Sequence, residues 1–491
     1  MEPCINFVRK RTGGLAEGAI CYTGDILNPK KTKYNLEYYL QLAKQLEDAG
    51  AHILAIKDMA GLLKPYAAQV LVEALRDTVK LPIHLHTHDT SGIQSATYLK
   101  AIESGVDVVD VALGSMSGLT SQPNFNSMVE AMRFQERHRE FDQKSLNRHS
   151  NYWETVREYY YPFESGLKAG TAEVYHHEIP GGQYSNLRPQ ANALGLGDKW
   201  ELIKETYAEV NQLFGDLVKV TPSSKVVGDM ALYLVSNGLT TVDVLERGDQ
   251  ISFPESVQSL FRGDLGQPAG GFPKKLQAIV LKDEQPYESR PNEHMEPVEL
   301  DKEFREFQKK FGEHTKYTDF LSYQLYPKVY EAFHKHYEQF GNVSKIPTRL
   351  FFYGMQPGEE AIIDIARGKS IVIKYQSMGH VNEDGMRTVF FKLNGQTRNI
   401  EVRDKSVKVE RVQHQKVDKG NPKHIGAPLQ GLLSKILVEK DQEVKKNTPL
   451  FVIEAMKMET TITASEATKI ADLHLAEGSL VNTDDLVVSL S

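Results

Sequence analysis

From residue 18 the chain alternates short apolar runs that close on polar residues with longer amphipathic stretches. Ala19 to Tyr22, Ala51 to Ile56, Pro82 to Leu85 and Val106 to Leu113 read as strands. Between them, Tyr34 to Ala49 keeps Leu36, Leu40, Ala43 and Leu46 on one face and stops at Gly50, the pattern of a helix with a glycine cap. Pro65 to Val79 opens with proline in its first turn, and Ile93 to Ser104 ends at Gly105. Repeated βα units of this kind predict parallel strands.

Later the period changes. Glu299 to Gly341 is polar, aromatic-rich and helical, with Phe304, Phe307 and Phe311 at the spacing of a core stripe. From Thr348 the runs become short and β-like, and Asn394-Gly395 marks a hairpin turn. Arg411 to His424 is charged, lacks a hydrophobic period and reads as a linker, a tether that raises the local concentration of what it carries. Leu450 to Ile453 and Thr460 to Thr463 are apolar or β-branched strands on either side of a tight turn. Val438, Val444 and Leu450 recur as Leu475, Val481 and Val487, each pair 37 residues apart, with Asp441 and Gly478 at turns. Two similar halves around a hairpin predict a flattened β-barrel of about 70 to 80 residues, near the smallest that holds a core unaided.

Composition narrows the function classes. The 491 residues leave room for roughly three or four domains. A net charge of -7 gives no reason to expect nucleic acid or an anionic membrane as partner. The two cysteines, Cys4 and Cys21, form no CxxC pair, so disulfide and thiolate-metal frameworks are not expected, and a reducing compartment fits. No apolar run approaches the roughly 20 residues of a membrane span, and Met1-Glu2-Pro3-Cys4 does not read as a signal peptide.

Candidate chemistry gathers at strand ends: Thr23-Gly24-Asp25, Ile56-Lys57-Asp58 and Thr87-His88-Asp89. In a (β/α)8 barrel that rim carries the active site, although each aspartate reads equally well as a helix cap. His86 and His88 are two apart, so both rings lie on one face and can share a metal ion; His84 shares the face but sits deeper. Lys57 ends an otherwise apolar strand, where its charge is costly and calls for an ion partner, neutralisation or covalent modification. A neutral lysine there can capture carbon dioxide as a carbamate, a carboxylate-like metal ligand. Thr221-Pro222 reads as a helix start with a hydroxyl at or near the N-cap. Lys457, between two methionines on the tight turn, reads as an attachment site.

Two resemblances sharpen these readings. Ile453-Glu454-Ala455-Met456-Lys457-Met458-Glu459-Thr460 resembles the biotinylation sequence of biotin-dependent carboxylases and decarboxylases. Leu15 to Asp25, Ile56 to Pro65, His84 to Gly92 and Met116 to Pro123 resemble the carboxyltransferase domain of the pyruvate carboxylase family. Ala172 to Asn186 looks like the last barrel strand and its loop, with His176 and His177 facing opposite ways and so not sharing an ion. The resemblance implies biotin on Lys457, and a zinc or manganese ion held by carboxylated Lys57 with His86 and His88. It also implies that Thr221 shuttles a proton between biotin and the enolate of pyruvate, with Ser224 touching the biotin ring.

The implied fold is multidomain α/β: an incomplete (β/α)8 barrel with a helical extension, an α+β domain and a C-terminal all-β flattened barrel. The expected bounds are 1–190 for the barrel part, 191–300 for the helical extension, 301–410 for a tetramerisation domain, 411–424 for the linker and 425–491 for the biotin carrier. Five strands are counted against the eight of a complete barrel. The first three are the ones missing, and an ATP-grasp biotin carboxylase domain is expected from another chain. ATP and acetyl-CoA then act only through parts missing here. The reaction implied is carboxylation of pyruvate to oxaloacetate in the cytoplasm, by a chain loaded by biotin protein ligase and assembled as a tetramer. Two rivals stand beside it: a non-catalytic biotin carrier or interrupted-gene remnant, and the α-subunit of an oxaloacetate decarboxylase.

Overall fold

The structure, a computed structural model, describes residues 2–164, 166–382, 385–404, 414–418, 421, 423–455 and 458–491. After helix α1 (Glu2–Phe7), the first apolar runs fold as parallel strands β1 (Glu17–Tyr22), β2 (Ile53–Asp58), β3 (Ile83–Thr87) and β4 (Val108–Val109), in the sheet order β1-β2-β3-β4. Helices α2 (Leu36–Asp48), α3 (Pro65–Thr78) and α4 (Gln94–Glu103) connect them. Asn35 caps α2 by accepting from the Tyr38 N–H, and Pro65 stands at the first position of α3, where no N–H is needed. Ile20, Tyr22, Leu54, Ile56, Ile83 and Leu85 are buried in one core with Leu46, Leu71, Leu75 and Tyr98 of these helices. Alternation along a strand then sends Cys21, Lys57, His84 and His86 to the other face, where each is half-buried.

Two expectations are corrected here. The run Val106 to Leu113 gives only the two residues of β4, because the backbone beyond turns to a loop: Ala112 donates to the Pro123 carbonyl and Phe125 to that of Ala112. Ala172 to Asn186 is not a fifth strand. It forms α7 (Val174–His177) and the start of α8 (Gly181–Ala193), following α5 (Phe125–Ala131) and α6 (Gln143–Arg157). The Thr171 hydroxyl accepts from the Glu173 N–H, and Glu178, at φ +52°, closes the turn by donating to the Val174 carbonyl. These local bonds satisfy the backbone, and so short an edge as β4 offers no ladder in exchange.

The helical layer continues through α9 (Trp200–Leu213), α10 (Ser223–Asn237), α11 (Thr241–Arg247), α12 (Glu255–Arg262) and α13 (Lys274–Leu281). Its core, which includes Ile203, Tyr207, Val227, Met230, Leu234 and Phe261, runs on into that of the C-terminal β-barrel through Leu433, Leu450, Phe451, Ile453 and Val488. These regions and the parallel sheet make up one compact unit, Met1–His294 with His414–Ser491.

The second unit, Met295–Gln413, holds α14 (Leu300–Phe311), α15 (Tyr317–Leu325), α16 (Pro327–Phe340) and α17 (Thr348–Tyr353). Phe307, Phe311, Phe320 and Tyr330 form its aromatic core. Its antiparallel sheet runs β5 (Glu360–Ala366), β6 (Lys369–Met378), β7 (Met386–Leu393), β8 (Gln396–Arg403). Asn394 and Gly395 turn between β7 and β8 with φ of +49° and +83°, the mirror-image geometry that suits the twist of a hairpin.

The C-terminal barrel comprises β9 (His424–Gly426), β10 (Gly431–Ile436), β11 (Glu443–Val444), β12 (Pro449–Ala455), β13 (Met458–Thr463), β14 (Thr468–Leu473), β15 (Leu480–Val481) and β16 (Leu486–Leu490). They form two four-stranded sheets, β13-β12-β10-β15 and β11-β14-β16-β9. Asp441 and Gly478, the matching turn positions of the two halves, both take positive φ, +69° and +85°. Part of the expected linker is not free. Val417 and Leu486 exchange bonds with Asp484 and Gln415, and Lys416 pairs at 2.8 Å with the buried carboxylate of Asp485. Asp485 would otherwise be a buried charge without a counter-ion, which fixes 414–418 to the barrel. Residues 411–413, 419, 420 and 422 lie outside the described residues.

Candidate active site

His86 and His88 come together where β3 ends. Their Nε2 atoms lie 3.2 Å apart, and Lys57 is the register partner of His86 across β2 and β3. The outer nitrogens are already committed: Nδ1 of His86 faces the Asp110 carboxylate at 2.7 Å and Nδ1 of His88 faces the Thr120 carbonyl at 2.6 Å. A carboxylate and a carbonyl only accept, so each Nδ1 donates its proton outward and the two Nε2 atoms are left facing each other. Burial, with help from His86 and Lys57, holds the pKa of His88 below its ordinary value, so the ring stays neutral. Two ring nitrogens this close share one cation, a proton or a metal ion, between them. Imidazole nitrogens on one tetrahedral zinc sit about 3.3 Å apart, close to the spacing seen here.

The pair therefore fits one divalent ion. Among the described residues no group of three His, Cys, Asp or Glu side chains converges to hold a metal ion. Lys57 has no ion pair among the described residues; the Asp58 carboxylate beside it is taken by the Leu62 and Leu63 N–H groups and the Thr87 hydroxyl. Asp58 and Asp89, which accepts from the Gln94 N–H, act as turn caps, and Asp25 pairs with Lys64 at 2.8 Å.

The helical layer closes on this site. A Cβ on Gly181 would stand 2.7 Å from His88 Nδ1 and 2.9 Å from the Thr120 carbonyl oxygen, so only glycine lets α8 start there. Lys219, 1% exposed, pairs with Glu178 at 2.7 Å and reaches the Thr23 hydroxyl at 3.4 Å, tying the loop before α10 to the end of β1. Two residues on, Thr221 is exposed, and its hydroxyl makes no hydrogen bond among the described residues. It is not the cap the sequence suggested: α10 starts at Ser223, whose hydroxyl donates to the Val218 and Val220 carbonyls and accepts from the Val220 N–H. Ser224, the residue expected to touch the biotin ring, is buried in the first turn of α10. His177 is buried on α7 with its Nε2 unpartnered, and burial pushes its pKa down to about 4. Lys57, His86, His88 and Thr221 do not line the 690 Å³ cavity beside Lys219 and Glu178.

At the other end of the chain, Ala455 pairs with Met458 to close the hairpin of β12 and β13. Lys457, between them in the sequence, lies outside the described residues. The hairpin packs on the helical layer: Thr460 bridges to Pro254, the Thr463 N–H donates to the Ser252 hydroxyl at 3.4 Å, and Asn447 donates to Asp283 at 3.3 Å.

Known proteins share these features. The family described as HMGL-like matches residues 4–152, a conserved carboxylase domain matches 174–374, and the biotin-requiring enzyme family matches 423–490. The carboxyl transferase domain from Rhizobium etli pyruvate carboxylase is 51% identical with a TM-score of 0.77, covering 83% of this chain and 68% of that one. The chain belongs to the pyruvate carboxylase family. Pyruvate carboxylase from Bacillus subtilis is 50% identical over 490 residues, 100% of this chain and 43% of the relative. The Staphylococcus aureus enzyme is 48% identical over 98% of the chain and 42% of the relative. The chain thus spans about two fifths of the length of the curated relatives it matches. Among the described residues, no helix is long and apolar enough to cross a membrane.

Asp110, Thr120, Gly181, Lys219 and Glu178 were not singled out from the sequence. Asp110 alone had a local signal, a carboxylate inside the apolar run Val106 to Leu113.

Proposed function

We propose that this chain performs the carboxyl-transfer half-reaction of a pyruvate carboxylase, moving a carboxyl group between biotin on Lys457 and pyruvate to give oxaloacetate. The facing Nε2 atoms of His86 and His88 beside Lys57 carry this reading, in a chain that also contains the biotin-carrier fold. Residues 1–190 and 191–300 build the transfer site in this assignment, 301–410 serve tetrameric assembly, and 425–491 carry the cofactor on a tether.

Lys57 supplies the third ligand once its neutral amine has added carbon dioxide and lost a proton to water. A zinc or manganese ion held by Lys57, His86 and His88 supplies Lewis-acid stabilisation of the enolate oxygen of pyruvate, and biotin supplies the nitrogen that carries the carboxyl group. Thr221 Oγ1 would accept a proton from the methyl group of pyruvate and hand its own to the biotin nitrogen as the bond from that nitrogen to the carboxyl carbon breaks; the carboxyl carbon would then bond to the enolate carbon, so no net charge builds on the hydroxyl. Its lack of a competing partner among the described residues leaves it free for that exchange. Loading of biotin with ATP belongs to a biotin carboxylase domain, and attachment to Lys457 to a biotin protein ligase. Both cysteines are free thiols, which fits a reducing cytoplasm.

The test is release of pyruvate from oxaloacetate by the biotinylated chain, a reverse step that needs no ATP. Activity lost in both Thr221→Ala and Lys457→Ala, with melting unchanged, supports the assignment. Equal activity in Lys457→Ala and the parent overturns it.

A further inference from the structure

The polar groups on the open face of the sheet do not stop at the two facing histidines. Asp110 uses both carboxylate oxygens: Oδ2 faces His86 Nδ1 at 2.7 Å and Oδ1 faces His84 Nε2 at 2.8 Å. His84 Nδ1 in turn faces Glu17 Oε1 at 3.0 Å. The line therefore runs from the start of β1, across β3, past the end of β4 and back to the site, through Glu17, His84, Asp110 and His86. None of these groups except His86 is needed to bind an ion or a substrate directly. Glu17 and Asp110 are about two fifths exposed, so apolar packing does not place their carboxylates.

We propose that Asp110 is the positioning residue of the metal site, and that His84 and Glu17 fix its carboxylate so that His86 offers Nε2, not Nδ1, to the ion. This rests on the reading of His86 and His88 as ligands. The physical reason is tautomer choice. An imidazole on an open face can carry its proton on either nitrogen and can swing about χ2; an acceptor at Nδ1 settles both. For His88 a backbone carbonyl does the same work, and the chain cannot lose it by substitution. For His86 the acceptor is a side chain with its own freedom, which explains why that side chain is gripped at its second oxygen. Glu17 completes the line by holding the His84 ring at its other nitrogen.

Two measurements on the full chain test the assignment. In the apo protein, nitrogen-15 NMR of labelled histidine reads the tautomer directly. His86 protonated at Nδ1 is expected, and His86 protonated at Nε2 overturns the proposal without any variant being made. The second measurement is zinc affinity by chelator competition. Asp110→Ala should weaken zinc binding about 10- to 100-fold. Asp110→Asn, which still offers a carbonyl oxygen to the His86 N–H, should recover much of that loss, and His84→Ala should cost only a few-fold. A purely structural role predicts the same loss for alanine and asparagine in step with loss of melting temperature, and that result overturns the proposal. Parent-like affinity in Asp110→Ala overturns it as well. If His86→Ala and His88→Ala both retain parent affinity, the reading of the two histidines as ligands fails first, which separates the two failures.

Discussion

β3 and β12 each lie inside a sheet and each leads to a residue assigned to the reaction, yet they are buried in different ways. Along β3 the burial alternates: Ile83, Leu85 and Thr87 are buried, His84 and His86 only partly so. Along β12 four consecutive residues, Leu450, Phe451, Val452 and Ile453, are buried, at 0%, 0%, 8% and 0% exposure. A strand packed on one face positions its functional side chains through hydrogen bonds, and a strand packed on both faces positions them through volume. The histidine pair is accordingly sensitive to single polar atoms, whereas the carrier hairpin is sensitive to methylene groups.

That contrast sets the sizes of the expected effects. Phe451→Ala should cost about 3–5 kcal/mol, read by urea unfolding, because the cavity opens in a core shared with the helical layer. His86→Ala, on the half-exposed face, should cost about 1 kcal/mol or less by the same measurement, while abolishing zinc retention. Equal destabilisation by the two substitutions would break the comparison.

The helical layer gives a pH signature of intermediate size. His177 is buried and its pKa is depressed to about 4, so between that value and the ordinary value of about 6.5 the unfolded chain binds a proton that the folded chain refuses. Stability from this group is complete above pH 6.5 and falls as pH drops toward 4, by on the order of 3 kcal/mol in total. Thermal melting from pH 7 to pH 4 should therefore be flatter in His177→Gln than in the parent. An unchanged slope would remove the burial argument.

The smallest effect belongs to the rim of the carrier contact. Lys446 and Asp249 are 3.7 Å apart, with both side chains more than half exposed, so Lys446→Glu should change stability by about 1 kcal/mol or less and more at low salt than at high. A loss as large as that of Phe451→Ala would mean that charge, not packing, holds the hairpin on the helices.

What was legible in the sequence was local. The turns at Asp441, Gly478 and Asn394-Gly395 were visible because positive φ selects a few residue types, and His86 and His88 because the strand period puts neighbours two apart on one face. The run around Val174 and Tyr175 was misleading because four apolar and polar residues suit a helical turn as well as a strand. Thr171 and Glu178 decided the outcome through bonds that depend on there being no long sheet edge to join. Asp110 was out of reach because its partner His86 is 24 residues away, and the same holds for Lys219, whose hydroxyl partner Thr23 is 196 residues away. Thr221 stands just before α10 as read, but no side chain caps that helix, and the Ser223 hydroxyl bonds back to Val218 and Val220 instead.

The central claim, that one chain joins a working transfer site to its own biotin, is tested most directly by isotope exchange. Biotinylated protein is mixed with carbon-14 pyruvate and unlabelled oxaloacetate, without ATP, and label is followed into oxaloacetate. The account predicts exchange that disappears in Lys457→Ala and in Thr221→Ala. Fully biotinylated, folded, zinc-loaded protein that exchanges no label would contradict it.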